Sequence, residues 1–497
     1  TTRPYNIYIV LHCPFLFFST SMIMDYPYDD FLDLFFSSNT TTATSTSSCV
    51  DQDDWSLDMN WDCDFRDLID SMMSDEGATT EPPPMLPSHL GQEGVCNSSS
   101  TGLSMADDVE EPIYDESKGL RLVHLLVAAA EASAGADKTH ELTRVILARL
   151  KDLVSLNDQT NMEKLAAHFT NGLSKLLERA NVLGNQQHRD VHDQADVISA
   201  LEMLQNMSPY VNFGYLTATQ AILEAVKYER RVHIIDYDIA EGIQWASFMQ
   251  ALVSRNTGPS AQHLRITALS RATGGKKSVA AVQEAGRRLT AFAESIGQPF
   301  SYHHSKLETE AFSSSSLKLV RGEAVVVNCM LHLPRFSHQT PKSLISFLSE
   351  AKTLNPKLVT LVHEEVGMMG NQGFLYRFMD LLHQFSAIFD SLEETPARRF
   401  VERVFIGPWV SGWLTRITHI ADDEEVESFA SWSRWLEGNG FKPMDVSFAN
   451  RCQAKLLLSL FKEGYRVEEL GHNGLVLGWK SRRLVSASFW ASRDSNL

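Results

Sequence analysis

Two carboxylates stand two residues apart in Asp236-Tyr237-Asp238, and His233 lies three residues before the first of them. Paired carboxylates beside an imidazole can do general acid/base work, one group taking a proton while another holds its own. A second set, Gly274-Gly275-Lys276-Lys277-Ser278, has the composition of a phosphate-cradling turn. That turn needs Ser or Thr directly after the lysine and a further glycine upstream; Lys277 occupies the first place and the glycine is missing. What remains is a glycine pair opening a helix, able to offer a weak anion contact. His140-Glu141 is followed by Arg144 and His363-Glu364 by Gly367, where a zinc helix needs a second histidine. No G-x-S-x-G nucleophile turn occurs. The six cysteines (Cys13, Cys49, Cys63, Cys96, Cys329, Cys452) include no C-x-x-C pair, so neither a zinc site nor a disulfide framework is expected.

What the carboxylates do depends on the element that carries them. Val232-His233-Ile234-Ile235-Asp236 is short, apolar and β-branched, the pattern of a strand buried on both faces of a parallel sheet. Asp236 then sits at the carboxyl end of the strand, where open α/β sheets place their ligands. Gly242 eases the turn, and Gln244 to Leu252 reads as the following helix. In that setting the two aspartates are expected to cap the helix and hold the turn. His233, inside an apolar strand, is expected to be a satisfied core histidine rather than a base.

The rest of the chain supplies the frame. Further strands are expected at Leu264 to Leu269, Phe300 to His303, Ala324 to Met330 and Lys357 to Val362, with helices between them at Val279 to Ser295, Pro341 to Thr353 and Phe374 to Phe389. Such alternation implies a mostly parallel sheet with helices on both faces. Ala397 to Ile420 reads as a helical insertion, and Phe429 to Leu436 and Ala454 to Phe461 as two more helices. Tyr465 to Leu470 and Leu475 to Trp479 flank Gly471-His472-Asn473-Gly474 as a hairpin, and Leu484 to Trp490 is one more strand. The fold class expected is α/β, Rossmann-like, with the antiparallel ending of class I methyltransferases. Such an enzyme needs a glycine-rich turn after the first strand and an acid after the second. Here the first turn keeps one glycine beside Glu241, and the second strand ends Leu269-Ser270-Arg271, so binding of a nucleotide cofactor in that mode is expected to be lost.

Before the strands, residues 118–228 are patterned as helices forming a cap. Leu120, Val123, Leu126 and Val127 mark one apolar stripe, and Leu142, Val145, Ile146, Leu150, Leu153 and Val154 a longer one. Leu122-Val123-His124-Leu125-Leu126 and Leu173-Ser174-Lys175-Leu176-Leu177 match L-x-x-L-L, and both are read first as core-facing stripes. Leu201 to Val226 is helical with a break at Ser208-Pro209.

Charge divides the 497 residues sharply. Residues 1–117 hold 22 Asp/Glu and 2 Lys/Arg, a net of -20, so a total of -18 leaves +2 for the remainder. Residues 22–117, with Ser/Thr runs and Pro82-Pro83-Pro84, read as a disordered acidic leader. Two acidic-aromatic islands lie in it, Asp25 to Phe36 and Asp54 to Met72, with the composition of segments that bind a partner. Residues 1–21 mimic a signal peptide but are too short to span a bilayer; they are expected to be translated leader or a gene-model artefact, with Met22 or Met24 the natural start. Basic clusters at Arg230-Arg231, Arg265/Arg271/Lys276/Lys277, Arg287-Arg288, Arg398-Arg399 and Lys480/Arg482/Arg483 could contact phosphates or direct nuclear import.

Several blocks together resemble the GRAS family of plant proteins: the run from Val232 to Trp245, Ser208-Pro209-Tyr210-Val211 with Thr219 to Ala225, Asn355 to Val362, and Leu477-Gly478-Trp479 to Trp490. The likeness spans about Lys118 to Trp490. It implies a GRAS domain over 118–494, with a leucine-rich region and helical cap (118–228), a VHIID region (229–266) centred on Val232, His233, Ile234, Ile235 and Asp236, a second leucine-rich region (278–314), a PFYRE-type region (323–416) and a SAW-type region (419–492). It further implies a nuclear transcriptional regulator with no catalytic, cofactor or metal residues. Such a protein pairs with another GRAS-domain protein that contacts promoter DNA; the composition of the acidic leader adds the expectation that it recruits transcription machinery. Pairing is implied for the Val232 block and the first leucine-rich region, with Leu122, Leu125, Leu126, Leu142, Ile146, Leu150 and Leu153 as its candidate contacts. Asp236 to Ile239, Leu269-Ser270-Arg271 with Gly274-Gly275, His363 to Gly367, and Gly119 to Leu126 resemble the branch that signals for root nodules and symbiotic fungi. Two rivals stay open: a methyltransferase with unusual cofactor contacts, and a direct sequence-specific DNA binder.

Overall fold

A computed structural model describes residues 111–134, 140–154, 160–181, 194–254, 262–271, 275–307, 317, 319–333, 341–366, 373–418 and 429–492. Residues 1–110, which hold both acidic islands, lie outside the described residues, whereas residues 111–117, expected to belong to the disordered leader, form the start of a helix, Glu111–Ala134.

The central sheet follows from the apolar runs. Strands β1 (Arg231–Asp236), β2 (His263–Arg271), β3 (Phe300–Leu307), β4 (Ala324–Met330) and β5 (Leu358–Glu364) are parallel and stand in the order β3-β2-β1-β4-β5. Strand β9 (Arg482–Ser492) runs antiparallel beside β5, followed outward by β8 (Gly474–Trp479) and β7 (Tyr465–Leu470), while the short β6 (Phe441–Pro443) pairs with β9. This is the mostly parallel, Rossmann-like sheet with an antiparallel ending that the sequence leads one to expect. Alternation decides what each face buries. Val232, Ile234 and Val326 join the larger core, whereas Ile235, Val325, Val327 and Trp490 join a smaller one on the opposite face.

Helices cover both faces. The larger core is closed by α5 (Tyr210–Ala225), α6 (Ile243–Ser254), α7 (Gly275–Ile296) and α9 (Phe374–Ser391). The smaller is closed by α8 (Pro341–Ala351) and α12 (Phe429–Gly438). The cap is built from α1 (Glu111–Ala134), α2 (His140–Leu153), α3 (Asn161–Asn181) and α4 (Gln194–Met207). The expected insertion joins it: α10 (Arg398–Val401), a π-helical turn (Glu402–Ile406) and α11 (Gly407–Ile417), with α11 packed on α3. The π turn has a local cause. Pro408 has no N–H and its ring would strike the carbonyl one α-turn back, and the preceding Gly407 N–H donates to Glu402 O, five residues away.

Two further expectations need correcting. The helix expected at Ala454 to Phe461 is α13, Phe448–Leu458. Ser447 caps it, its Oγ accepting the Asn450 N–H at 3.0 Å, a start signal that the apolar pattern alone hides. In α2 the covered residues are Thr143, Leu147 and Leu150, with Ile146 and Leu153 half-buried. Leu142 and Val145 are 54% and 65% exposed, so the stripe written through them is rotated away from the core. Both L-x-x-L-L matches do face inward, through Leu122 and Leu126 and through Leu173 and Leu177.

Candidate functional site

The carboxyl end of β1 is closed by its own side chains. Asp236 is buried; one carboxylate oxygen accepts the Asp238 N–H at 3.0 Å and the other the Trp245 indole N–H at 2.6 Å. Asn328, on the neighbouring β4, donates to Gln244 Oε1 at 3.2 Å and accepts the Thr360 hydroxyl from β5 at 2.7 Å. The network therefore stitches β1, β4, β5 and the start of α6. Asp236 holds the turn as expected, but through the indole of Trp245 rather than as a cap on the helix.

The turn itself is a tight one. Gly242 has φ +74°, and a Cβ there would lie 3.1 Å from Leu289 Cδ1. Its N–H donates to Ile239 O at 2.9 Å. Glu241 is strapped down by Arg288, which reaches its carboxylate at 2.9 Å and its carbonyl at 3.1 Å. A nucleotide-type cofactor would need open backbone N–H groups and close approach at this point. The Asp238 and Gly242 N–H groups are engaged, the Glu241 carboxylate is held at the turn by Arg288, the Trp245 indole is bound to Asp236, and β2 ends without an acid. These residues do not fit such a group, and no chemistry is routed through one.

His233 lies deeper in β1 and is buried. Its Nδ1 is 3.0 Å from an Arg265 guanidinium nitrogen, which can only donate, so Nδ1 accepts and Nε2–H donates to Thr267 Oγ1 at 2.8 Å. Arg265 in turn forms an ion pair with Glu323, and both side chains are buried. Burial first, then the positive charges of Arg265 and His303, push the His233 pKa down to about 3 from 6.5. His168 is lowered to about 4 by burial. Both histidines are neutral in the fold, and the unfolded chain protonates them first as pH falls. Their contribution to stability is complete above pH 6.5 and lost as pH drops towards 4 and then 3, by up to about 1.4 kcal/mol per unit for each. Denaturant melts at pH 6.5 and pH 5 should differ by roughly 2–4 kcal/mol from these two groups. His233→Gln, which can make the same two hydrogen bonds, should remove about half of that difference.

The stretch at His363 brings a serine into reach. Ser486 Oγ lies 3.0 Å from His363 Nε2 and donates to Glu365 Oε1 at 2.6 Å. The hydroxyl is wholly buried and its proton is directed at the carboxylate, so it is not placed as a nucleophile. Among the described residues no cluster of three His, Cys, Asp or Glu could hold a metal ion, and no helix is long and apolar enough to cross a membrane. Cys329 and Cys452 are buried free thiols.

Of the seven candidate pairing residues, Leu122, Leu126 and Leu150 are sealed in the chain's own core. Leu125, Ile146 and Leu153 are half-buried, and Leu142 is exposed beside Val145. The basic clusters divide in the same way. Arg265 and Arg398 are buried, which overturns their reading as phosphate contacts. Arg482 pairs with Asp380 at 2.6 Å, Arg483 with Glu468 at 3.1 Å and Lys480 with Asp390 at 2.8 Å. Arg398 is the residue sequence reasoning missed most completely. Its guanidinium donates to Glu402 at 2.9 Å, to Asn161 Oδ1 at 2.7 Å and to the Phe389 carbonyl at 2.9 Å, and it also pairs with Glu394. The Arg398–Glu402 spacing of four was the available signal.

Residues 122–491 match the GRAS domain family. The chain belongs to that family. Its relatives include Scarecrow-like protein 26 of Arabidopsis thaliana, 78% identical over 95% of this chain and 100% of that protein. Protein NODULATION SIGNALING PATHWAY 2 of Lotus japonicus is 50% identical over 92% of this chain and 96% of that one. Among solved structures, the GRAS chain resembles SCL7 of Oryza sativa, with 28% identity, a TM-score of 0.57, and coverage of 74% of this chain and 99% of that one. In this GRAS chain the VHIID residues are strand β1 itself. Val232, Ile234 and Ile235 are core, His233 belongs to the Arg265–Glu323 network, and Asp236 fastens the turn.

Proposed function

We propose that the chain is a nuclear regulator of transcription that acts by association with another GRAS-domain protein, in signalling for root symbiosis. The observation that carries this reading is the closed carboxyl end of β1. Where an enzyme of this shape would open a cofactor crevice, Asp236, Trp245, Gln244 and Asn328 make an interlocked structural node. What the molecule then offers is surface. Membership of the GRAS family supports regulation, and the 50% identity to Protein NODULATION SIGNALING PATHWAY 2 over nearly the whole of both chains supports the symbiotic setting. Pairing is assigned to the cap, with promoter DNA reached through the partner and the acidic leader engaging transcription machinery.

The outer face of α2 is where pairing is best placed, because Leu142 and Val145 are large, apolar and exposed while their neighbours Leu147 and Leu150 are already covered. Leu142→Asp with Val145→Asp should leave the melting temperature within a few degrees of the native chain. It should weaken association with a GRAS partner, co-purified from root nuclei, by at least tenfold. Unchanged association would remove the α2 face from the interface. Leu122→Asp is a contrasting variant, expected to unfold the cap by burying a charge.

A further inference from the structure

Several described cations, Arg265, Lys357 and Arg398 among them, have carboxylate partners. Four at the amino end of the sheet do not: Lys227, Arg230, Arg231 and Arg321 make no ion pair with any described residue, and Arg230, Arg231 and Arg321 are exposed. Strands β1 and β4 are parallel neighbours with Val232 opposite Ala324, so the turns that lead into them, 227–231 and 319–322, meet the sheet at the same end. The two carboxylates in these turns are taken: Glu229 by Lys357 at 2.6 Å, and Glu323 by the buried Arg265. Between the free cations stand exposed apolar groups, Tyr228 at 77% and Leu319 and Val320 at 46% each. Lys227 Nζ lies 5.3 Å above the Tyr228 ring. A Cβ added at Gly322 would meet nothing within 4 Å, so the face is open. It lies at the opposite end of the sheet from the Asp236 node.

We propose that this basic, aromatic face docks the chain's own acidic island, Asp54 to Met72. The match is one of both charge and apolar content. The island carries Asp54, Asp58, Asp62, Asp64, Asp67 and Asp70 against the single Arg66, and interleaves them with Trp55, Trp61 and Phe65. From Met72 to the start of α1 at Glu111 there are 111 − 72 = 39 residues. Their greatest span is ~130 Å, while a body of this size has a radius of gyration of about 21 Å, so the tether reaches any part of the surface. Tethering also sets a millimolar-scale local concentration of the island, which an untethered acidic partner must outcompete. Phosphates are the other chemistry such a face suits, but a net charge of -18 repels nucleic acid from the molecule as a whole. Docked, the island covers the cations and withholds its own aromatic groups from other proteins, so the chain regulates its own activity until a partner displaces the segment. The docking does not depend on what the island recruits.

The test uses the full chain with a photo-reactive benzoylphenylalanine in place of Tyr228, irradiated at high dilution and read by peptide mass spectrometry. The expected result is an intramolecular cross-link to residues 54–72, reduced at least tenfold in ~1 M salt and in Arg230→Glu/Arg231→Glu/Arg321→Glu. A second variant leaves the folded body untouched: Asp54→Asn, Asp58→Asn and Asp62→Asn together should reduce the cross-link as strongly. The proposal is overturned if the label joins two copies of the chain. It is equally overturned if the label reacts with 54–72 no more than the same label at the distant exposed Leu460, or if charge reversal leaves the yield unchanged. Preferential cross-linking to an added DNA duplex, with 54–72 unlabelled in its absence, would assign the face to nucleic acid instead.

Discussion

Arg398→Ala is expected to lower stability by about 3–5 kcal/mol, the size of effect seen when one partner of a buried ion pair is removed. Four groups depend on this guanidinium. Glu402 is buried and would be left without its partner. Asn161 at the start of α3 and the Phe389 carbonyl near the end of α9 would each lose a donor, and the exposed Glu394 would lose little. The residue thus binds the cap to α9 and to the π turn at one point. Arg398→Lys should recover little, because an ammonium cannot serve three directions with a planar fork. At roughly 2 °C per kcal/mol for a domain larger than 150 residues, the thermal midpoint should fall by about 6–10 °C. Calorimetry of the full chain checks this, and a shift below 2 °C for the alanine variant would show that water takes over the guanidinium's role.

Glu323→Ala is expected to be of similar magnitude, about 3–5 kcal/mol, for the mirror-image reason. Arg265, on β2, reaches past His233 on β1 to Glu323 just before β4, and without Glu323 its charge stays buried beside a neutral His233. A second substitution makes the test sharp. Glu323→Leu combined with Arg265→Met removes both charges and refills the space, and it should return stability to within about 2 kcal/mol of the native chain, since apolar replacement of a buried pair is often neutral. A double variant no more stable than Glu323→Ala would mean that the shape of the pair, and not its charge balance, sustains this part of the core. Both variants should leave the Leu142 and Val145 face intact, because that face is carried by α2 and not by the sheet.

The strands were legible because their signals are local. Ala324–Met330 is found where its β-branched run predicts it, and the helix beginning at Gly275 stops at Gly297, whose φ of +70° suits glycine. The start of α13 is set by the Ser447 cap and not by an apolar period, while Leu460 and Phe461, which extend the apolar pattern, lie past the helix end. The stripe on α2 departs from the apolar pattern for a different reason. Leu142 and Val145 are as apolar as Leu147, and only the placement of α1 and α3 decides which side of the helix is covered. Arg265 and Arg398 looked like surface charge, since nothing within a few residues of Arg265 announces a partner.

The amino-acid sequence by itself determined the order of strands and helices, the family, and the loss of a glycine-rich turn after β1. These follow from backbone preference and apolar spacing, which act over a handful of residues. Tertiary structure alone decided which charges are structural and which are free. Arg265 meets Glu323 across 58 residues, Trp479 meets Asp390 across 89 and Arg398 meets Asn161 across 237. Such pairings exist only once distant segments are in register, because burial belongs to the packed assembly and not to any one segment of it.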